Sequence, residues 1–215
     1  MGAIARNAAN KITTGGVFTS GAITNDSVTG ITVLANASDG ITLISSQTAS
    51  NSASISFTSG LTSTYKAYKF VFSSIHPRTD NVDFQFNLST DSGSNYNVTK
   101  TTTNFRAGHN EADNDTALEY AGAYDLAQST GYQSLSNSIG NGADESCSGS
   151  LQLFNPASTT YVKHFIANCN RYLFLDYTFN DFVAGYGNTT SAVNAIRFQM
   201  SSGNFDGTIY LYGIK

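Results

Sequence analysis

The chain has 215 residues, a mass of 22.8 kDa and a formal net charge of −4 at pH 7. Its eleven Lys and Arg residues are spread along the whole length, and they form no basic stripe that would bind a phosphate backbone; nucleic acid is therefore not an expected partner. Only 12% of the residues are charged, while 12 are Tyr and 14 are Phe, a composition that argues against a disordered chain.

No segment of the sequence is typical of a membrane or export signal. A membrane helix needs about 20 consecutive apolar residues, and no run in the chain approaches that length. The opening MGAIARNAANKITTGG lacks the apolar core of a secretory signal. We therefore expect no membrane partner, and we expect assembly inside a cell without export.

Residues 1–50 are rich in Thr, Ser, Asn and Gly, and their apolar positions are scattered. The apolar runs 31–34 and 41–44 flank a turn at 36–40, which predicts a small hairpin. A segment with this much apolar surface and no core of its own has to be buried against neighbours. The sequence therefore predicts an extended attachment arm over residues 1–50, with these apolar contacts: Ile4, Ile12, Val17, Phe18 and Ile23.

From residue 51 to residue 215, period-two alternation replaces the scattered pattern. A central strand is predicted at 67–75 and a half-buried strand at 82–88. The second of these is predicted to form a hairpin with the segment that contains Tyr96 and Val98. Further strands are predicted at 150–154, 160–167, 171–176, 179–186, 192–200 and 207–213, the last two as a hairpin. About ten short strands separated by turns predict an all-β fold, an antiparallel β-sandwich of jelly-roll type.

The segment 101–149 is predicted to be mostly polar loop, and loops of this length usually carry function or contacts. It contains three closely spaced carboxylates, Glu111, Asp113 and Asp115, which are weak candidates for calcium ligands. They lack the ligand order of a known calcium loop, so a solvated loop is the favoured interpretation and no metal is expected.

Two cysteines, Cys147 and Cys169, are the only thiols. A hairpin loop at 155–160 would pair residues whose numbers sum to about 316, which places the two thiols opposite each other. A register error of one residue would send them to opposite faces. Because a cytosolic assembly site keeps thiols reduced, we expect free thiols.

No catalytic pattern is present in the sequence. The histidines His76, His109 and His164 belong to no metal-ligand motif, there is no GxSxG elbow, and no carboxylate pair has readable glycosidase spacing. The sequence therefore predicts a protein that is not an enzyme and needs no cofactor. Sugar rings could stack on tyrosines, but the absence of Trp favours core or interface positions for them; these are Tyr120, Tyr124, Tyr132, Tyr172, Tyr177 and Tyr186.

Three stretches carry a resemblance to a known group of proteins: STDSGSNYNVTKTTT, DLAQSTGYQSLSNSIGNGADESCSGSLQLFNPASTTYVKHF and NTTSAVNAIRFQMSSGNFDGTIYLYG. Over residues 46–215 the chain resembles small virion proteins of tailed bacteriophages, of the tail-fibre, appendage or head-decoration type. The opening MGAIARNAANKITTGGVFTSGAI is similar to the openings of such chains. The resemblance implies a non-enzymatic virion structural protein that is assembled in the host bacterial cytoplasm, lies on the virion surface and contacts other virion proteins.

The alternative function is a receptor-binding module in which the loops 108–115 and 140–146 contact host surface glycan. For assembly, alternation in the last strand places Tyr210 and Tyr212 opposite the side chains that fill the core, which predicts a subunit interface. A ring closes such a head-to-tail contact, and the resemblance implies a trimer.

Overall fold

Twelve antiparallel strands dominate the part of the chain that the computed structural model describes, residues 40–173 and 175–215. The predicted all-β antiparallel sandwich is confirmed. In chain order the strands are β1 (Ile41–Ser52), β2 (Ser54–Phe57), β3 (Ala67–Pro77), β4 (Val82–Ser89), β5 (Lys100–Asn110), β6 (Thr116–Tyr120), β7 (Gln133–Ile139), β8 (Cys147–Phe154), β9 (Lys163–Leu173), β10 (Tyr177–Gly187), β11 (Ala195–Met200) and β12 (Phe205–Ile214).

The strand order is that of a jelly roll with two insertions. One sheet has the order β1-β12-β3-β8 and the other has the order β2-β11-β4-β7, so that the chain passes back and forth between them as two Greek keys. The hairpins β5-β6 and β9-β10 extend the first sheet beyond β8, in the order β9-β10-β5-β6. The result is an eight-stranded sheet packed on a four-stranded one, joined at one pairing between Ile139 and Leu173.

Phenylalanine rings fill the space between the two sheets. Phe198 on β11 lies between 5.2 and 6.4 Å, centroid to centroid, from five other rings, most of them edge-on or tilted. Such aromatic pairs stabilise a core beyond the area that they bury. The five partners come from both sheets, which fixes the two layers against each other; they are Phe57, Phe70, Phe72, Phe84 and Phe86.

The β-domain begins earlier than the sequence predicts, at Gly40. Residues 41–50, which were assigned to the arm, belong to β1 and pair with β12. A bulge between Leu43 and Ser45 interrupts the alternation of β1, so the sequence indicates only the apolar run 41–44 as strand and not the residues that follow it. The other half of the predicted hairpin and the five predicted attachment residues lie outside the described residues; the latter are Ile4, Ile12, Val17, Phe18 and Ile23.

The prediction of a long polar loop over residues 101–149 is wrong. This segment contains β5, β6, β7 and the start of β8. Their inward side chains are often polar, and some of them hydrogen-bond to each other, so the strands show no apolar alternation. The hydroxyl of Thr102, for example, donates to Oε1 of Gln133 at 2.6 Å in the interior.

Two predicted hairpins are also wrong. Tyr96 and Val98 precede β5 and lie in no strand. β11 and β12 do not pair with each other, because the turn between them crosses from the four-stranded to the eight-stranded sheet. The strands predicted at 160–167 and 171–176 are one strand, β9. By contrast, the central strand at 67–75 is confirmed as β3, which pairs with β12 and β8.

A lysine side chain is buried where β5 begins. The Lys100 amine donates to Oδ1 of Asn87 at 2.5 Å and to the carbonyl of Val98 at 2.8 Å, and no part of the residue is exposed. Burial disfavours the charged amine and lowers the pKa of Lys100 to about 7. The unfolded chain, with a pKa near 10.5, therefore binds a proton that the folded chain has released.

We expect the free energy of unfolding to rise by about 2 kcal/mol between pH 7 and 8.5, because the unfolded state binds more protons over that interval. Above about pH 8.5 the buried thiols oppose this trend, since the unfolded chain ionises its thiols first. Urea unfolding of Lys100→Met should lose the rise, while Lys66→Met, at an exposed lysine, should keep it. Equal slopes for the wild-type chain and Lys100→Met would contradict the assignment.

Candidate assembly surface

The outward side of the eight-stranded sheet is a continuous surface, which we call the outer face. The registers fix its members, because in every strand they alternate with core residues such as Leu211, Phe70 and Leu151. Two central rows cross the strands from β1 toward β6. The first is Leu43, Tyr212, Lys69, Gln152, Ile166, Ala184 and Thr103, and the second is Ser46, Tyr210, Val71, Ser150, Asn168, Phe182, Phe105 and Tyr120. These rows are flanked on one side by Ile41, Ile214, Phe154, His164, Tyr186 and Thr101, and on the other side by Asn170, Asn180, Ala107 and Leu118.

The outer face is apolar and almost uncharged. Lys69 is the single Asp, Glu, Lys or Arg residue in that set. Eight large hydrophobic side chains are exposed in the described part of the chain, and six of them belong to the outer face. Leu118, at 81%, is the most exposed of these. This concentration of exposed apolar groups on one face marks an interaction surface.

The extension β9-β10-β5-β6 carries polar and apolar groups on both of its sides. Its inner side holds the charges Arg106, Arg171 and Asp181 beside buried apolar groups such as Phe165 and Val183, while its outer side carries the exposed apolar groups of the outer face beside Asn and Thr side chains. An antiparallel sheet with one solvated side normally places polar groups outward. The exposed apolar groups on the outer side of the extension therefore suit contact with a partner.

A ridge and a trough lie side by side on the extension. The ridge is formed by the rings of Phe105 and Phe182, which stack at 4.8 Å with an interplanar angle of 6°. The trough consists of a hollow of about 500 Å³ and an adjoining one of about 420 Å³, which share Thr103, Ile166 and Ala184. The trough is deep at Ala184 because that small side chain lies between larger neighbours on β10.

The predicted interface tyrosines lie at the other end of the outer face. Tyr210 and Tyr212 are half-buried, with ring centroids 6.4 Å apart, and their neighbours Ile209 and Leu211 are fully buried. The orientation predicted from the alternation is thus observed. Their role in a subunit contact stays a prediction.

A buried ion pair holds the two central strands of the extension together. Nε of Arg171 on β9 donates to Oδ2 of Asp181 on β10 at 2.8 Å, the hydroxyl of Ser136 donates to the same oxygen at 3.2 Å, and the guanidinium lies 4.6 Å from the ring centroid of Phe179. Burial raises the pKa of Asp181 and outweighs the opposing effect of Arg171. Within the described residues, both Nη atoms of Arg171 lack a hydrogen-bond partner.

The calcium candidates do not converge on one point. They lie in the turn between β5 and β6, where Asp113 pairs with Nε2 of His109 at 3.1 Å and Asp115 accepts from the Tyr177 hydroxyl at 2.8 Å. Glu111 and Asp113 both line an open hollow of about 410 Å³, and Asp115 does not. No group of three possible metal ligands occurs in residues 40–173 and 175–215.

The two loops proposed for glycan contact meet at Tyr172. The side chain of Tyr172 lines the hollow beside Glu111, and its backbone N–H donates to the carbonyl of Ser146 at 3.0 Å. The turn at 140–146 is held by the backbone N–H of Gly142, which donates to the Glu145 carboxylate. The structure thus brings together two segments that the sequence separates by about thirty positions.

Both cysteines are buried and free, as expected. Cys147 pairs with Arg171, and Cys169 pairs with Gly149, so paired residues of β8 and β9 sum to 318 and the predicted opposition is wrong. The register differs by two residues, which leaves both thiols on the inner face. Burial raises the pKa of Cys147 to about 12, and the thiols are therefore unreactive.

The three histidines lie in different environments. Nδ1 of His76 donates to the carbonyl of Glu145 at 2.6 Å, and His164 lies on the outer face with its ring 6.1 Å from that of Tyr186. The outer face itself escaped sequence reasoning, because its members on β5 and β6 lie in the segment that the sequence predicts as polar loop. The two-residue spacing of Thr101, Thr103 and Phe105 was the sequence pattern that could have indicated this face.

Comparison of the chain with protein-family models, with curated proteins and with solved structures finds no match to any of them. No helix long and apolar enough to cross a bilayer is present in the described strands and turns.

We expect Asp181→Asn to lower the free energy of unfolding by about 3–5 kcal/mol, because it leaves the buried Arg171 charge without a counter-charge. The double variant Arg171→Met/Asp181→Leu should cost less than the sum of the single changes, since neither charge is then buried alone. Urea titration measures both effects, and Asp144→Asn, at an exposed aspartate, is the control. A change within about 0.5 kcal/mol for Asp181→Asn would contradict this role.

Proposed function

We propose that this chain is a non-enzymatic structural subunit of a phage particle, lying on the virion surface and assembled with other copies of itself and with other virion proteins. The observation that carries the proposal is the apolar, nearly uncharged outer face of the eight-stranded sheet. A surface of this kind has a physical reason to exist in an assembly and none in an isolated chain.

The size of the outer face supports an assembly role. Eight strands spaced about 4.8 Å apart, crossed by rows of side chains over about 20 Å, give a surface of roughly 700 Å². Each partner in a standard protein interface contributes about 800 Å², so the outer face is large enough for a specific contact.

Two further observations support the proposal that the chain is part of a phage particle. The stretches quoted above, which end in SSGNFDGTIYLYGIK, resemble virion proteins of tailed bacteriophages. The jelly-roll order of β1, β12, β3 and β8 against β2, β11, β4 and β7 is an architecture that viral capsid proteins use, although it also serves lectins and cupins. Fold-level analogy of this kind raises the expectation of a structural role and does not by itself assign it.

A second candidate function, recognition of host surface glycan, is favoured by the hollow of about 410 Å³ at the tip of β5 and β9. It combines the Tyr172 ring with the polar groups of Asn110, Glu111 and Thr178. Aromatic stacking together with a few polar groups is suited to a sugar ring. We expect any glycan-array signal of the full chain to be lost in Tyr172→Ala and kept in Tyr161→Ala; silence of the wild-type array would remove this candidate.

We expect purified phage particles that encode this chain to contain it as a stoichiometric component by quantitative mass spectrometry. A chain without residues 1–39, which leaves β1 intact, should remain folded by circular dichroism and should be lost from particles, because the predicted arm is missing. Full-length chain supplied from the same plasmid is the matched control. Absence of the full-length chain from particles would overturn the proposal, and normal incorporation of the shortened chain would overturn the arm.

A further inference from the structure

We propose that a second copy of this chain packs on the extension β9-β10-β5-β6, with the Phe105–Phe182 ridge of each copy seated in the other copy's trough at Ala184. The inference rests on the proposed function and deepens it by naming the partner and the surface. It places the contact at the opposite end of the outer face from Tyr210 and Tyr212.

The shape of the extension suits contact between identical copies. The ridge and the trough adjoin each other on one face, and Ile166 and Ala184 belong to both hollows of the trough. In a two-fold interface the same patch is used on both subunits, so a ridge in one copy has to meet a hollow in the other. A surface that carries both features side by side meets this condition with a single rotation axis between them.

Charge favours a second copy over other partners. The chain carries a net charge of −4, which makes most approaches of two copies repulsive. The ridge and trough contain no Asp, Glu, Lys or Arg, so two copies meet there without like-charge contacts. A charged peptide or a nucleic acid would find no counter-charge on this surface.

A protein side chain fits this place better than a sugar does. Thr101, Thr103, His164 and Tyr186 also line the trough, but most of its exposed lining area is apolar, whereas a glycan site needs several convergent donors and acceptors. The hydroxyl of Thr103 already lies 3.5 Å from the carbonyl of Ala184. The trough is therefore suited to aromatic side chains, and the stacked phenylalanines beside it are such side chains.

The area of the extension suits a weak, reversible pair. From β8 to β6 four strand spacings give a width of about 19 Å, and the six residue steps from Thr101 to Ala107 span about 20 Å along β5. Two copies would together bury on the order of 800 Å², which is in the range of weak, transient contacts. A contact of this size is expected to be reversible with dilution.

The test is light scattering on the full chain over a range of micromolar concentrations. We expect a mass of twice the 22.8 kDa of one chain. Ala184→Arg should weaken self-association by about 100-fold or more, because it buries an unpaired charge in the trough. Ile166→Arg, at an exposed position, provides a second variant if Ala184→Arg does not fold by circular dichroism. Leu175→Arg has the same wild-type exposure as Ile166 but lies in the turn before β10, and it should change nothing.

Cysteine cross-linking tests the ridge-to-trough contact directly. The native thiols are buried, so a mixture of Phe105→Cys and Ala184→Cys chains should form mixed dimers on mild oxidation, while a mixture of Leu175→Cys and Ala184→Cys chains should not. A monomeric wild-type chain, a mass of three chains, or dissociation by Tyr210→Ser/Tyr212→Ser with none by Ala184→Arg would overturn the inference. Because particle incorporation is measured separately, a chain that is monomeric in solution yet present in particles overturns this inference and leaves the proposed function standing.

Discussion

Phenylalanine rings packed between two pleated sheets are the interaction on which the rest of this structure depends. Phe198 is in ring contact with partners from both layers, and Phe86 on the smaller sheet meets Phe165 on the larger at 5.0 Å. Once these rings fix the inward side of each strand, the two-residue repeat of a β-strand fixes the outward side as well. The outer face is thus a consequence of the core.

Polar interactions hold much of the inner side of the extension. Beyond β8 the four-stranded sheet covers less of its partner, and the inner side there is held by the Arg171–Asp181 pair, by Lys100 and by hydrogen bonds such as that between Thr102 and Gln133. Buried ions cost free energy unless they are paired, so these strands are specified more by polar geometry than by hydrophobic burial. Apolar groups such as Phe165 and Val183 are also buried on this inner side, while Phe105 and Ile166 lie on the outer side.

The exposed apolar groups link fold to function. A sheet whose exterior carries Phe105, Phe182 and Ile166 exposes apolar area to water and gains stability when a partner covers that area. The cost of exposing these groups is tolerable in a subunit that spends its time in an assembly. The same logic explains why the acidic residues Asp113 and Asp115 lie at the tip of the extension, where they pair locally and keep the hairpin end solvated.

The sequence by itself determined the fold class, the central strand β3, the half-buried strand β4 and the orientation of Tyr210 and Tyr212, because period-two alternation is local and survives without knowledge of partners. It also indicated free thiols. The long-range pairings were decided only by the tertiary structure. The turn before β12 joins two sheets instead of closing a hairpin, and that choice depends on which strands accept β11 and β12 as neighbours.

Tertiary structure alone likewise decided that β5, β6 and β7 are strands. Their inward Thr, Asn, Ser and Gln side chains carry no hydrophobic signal, and they become favourable in a strand only when partners distant in sequence satisfy their hydrogen bonds. The outer face followed from those strands. No local pattern places Ile166, Ala184 and Thr103 in one row, because their adjacency is set by the registers of β9, β10 and β5.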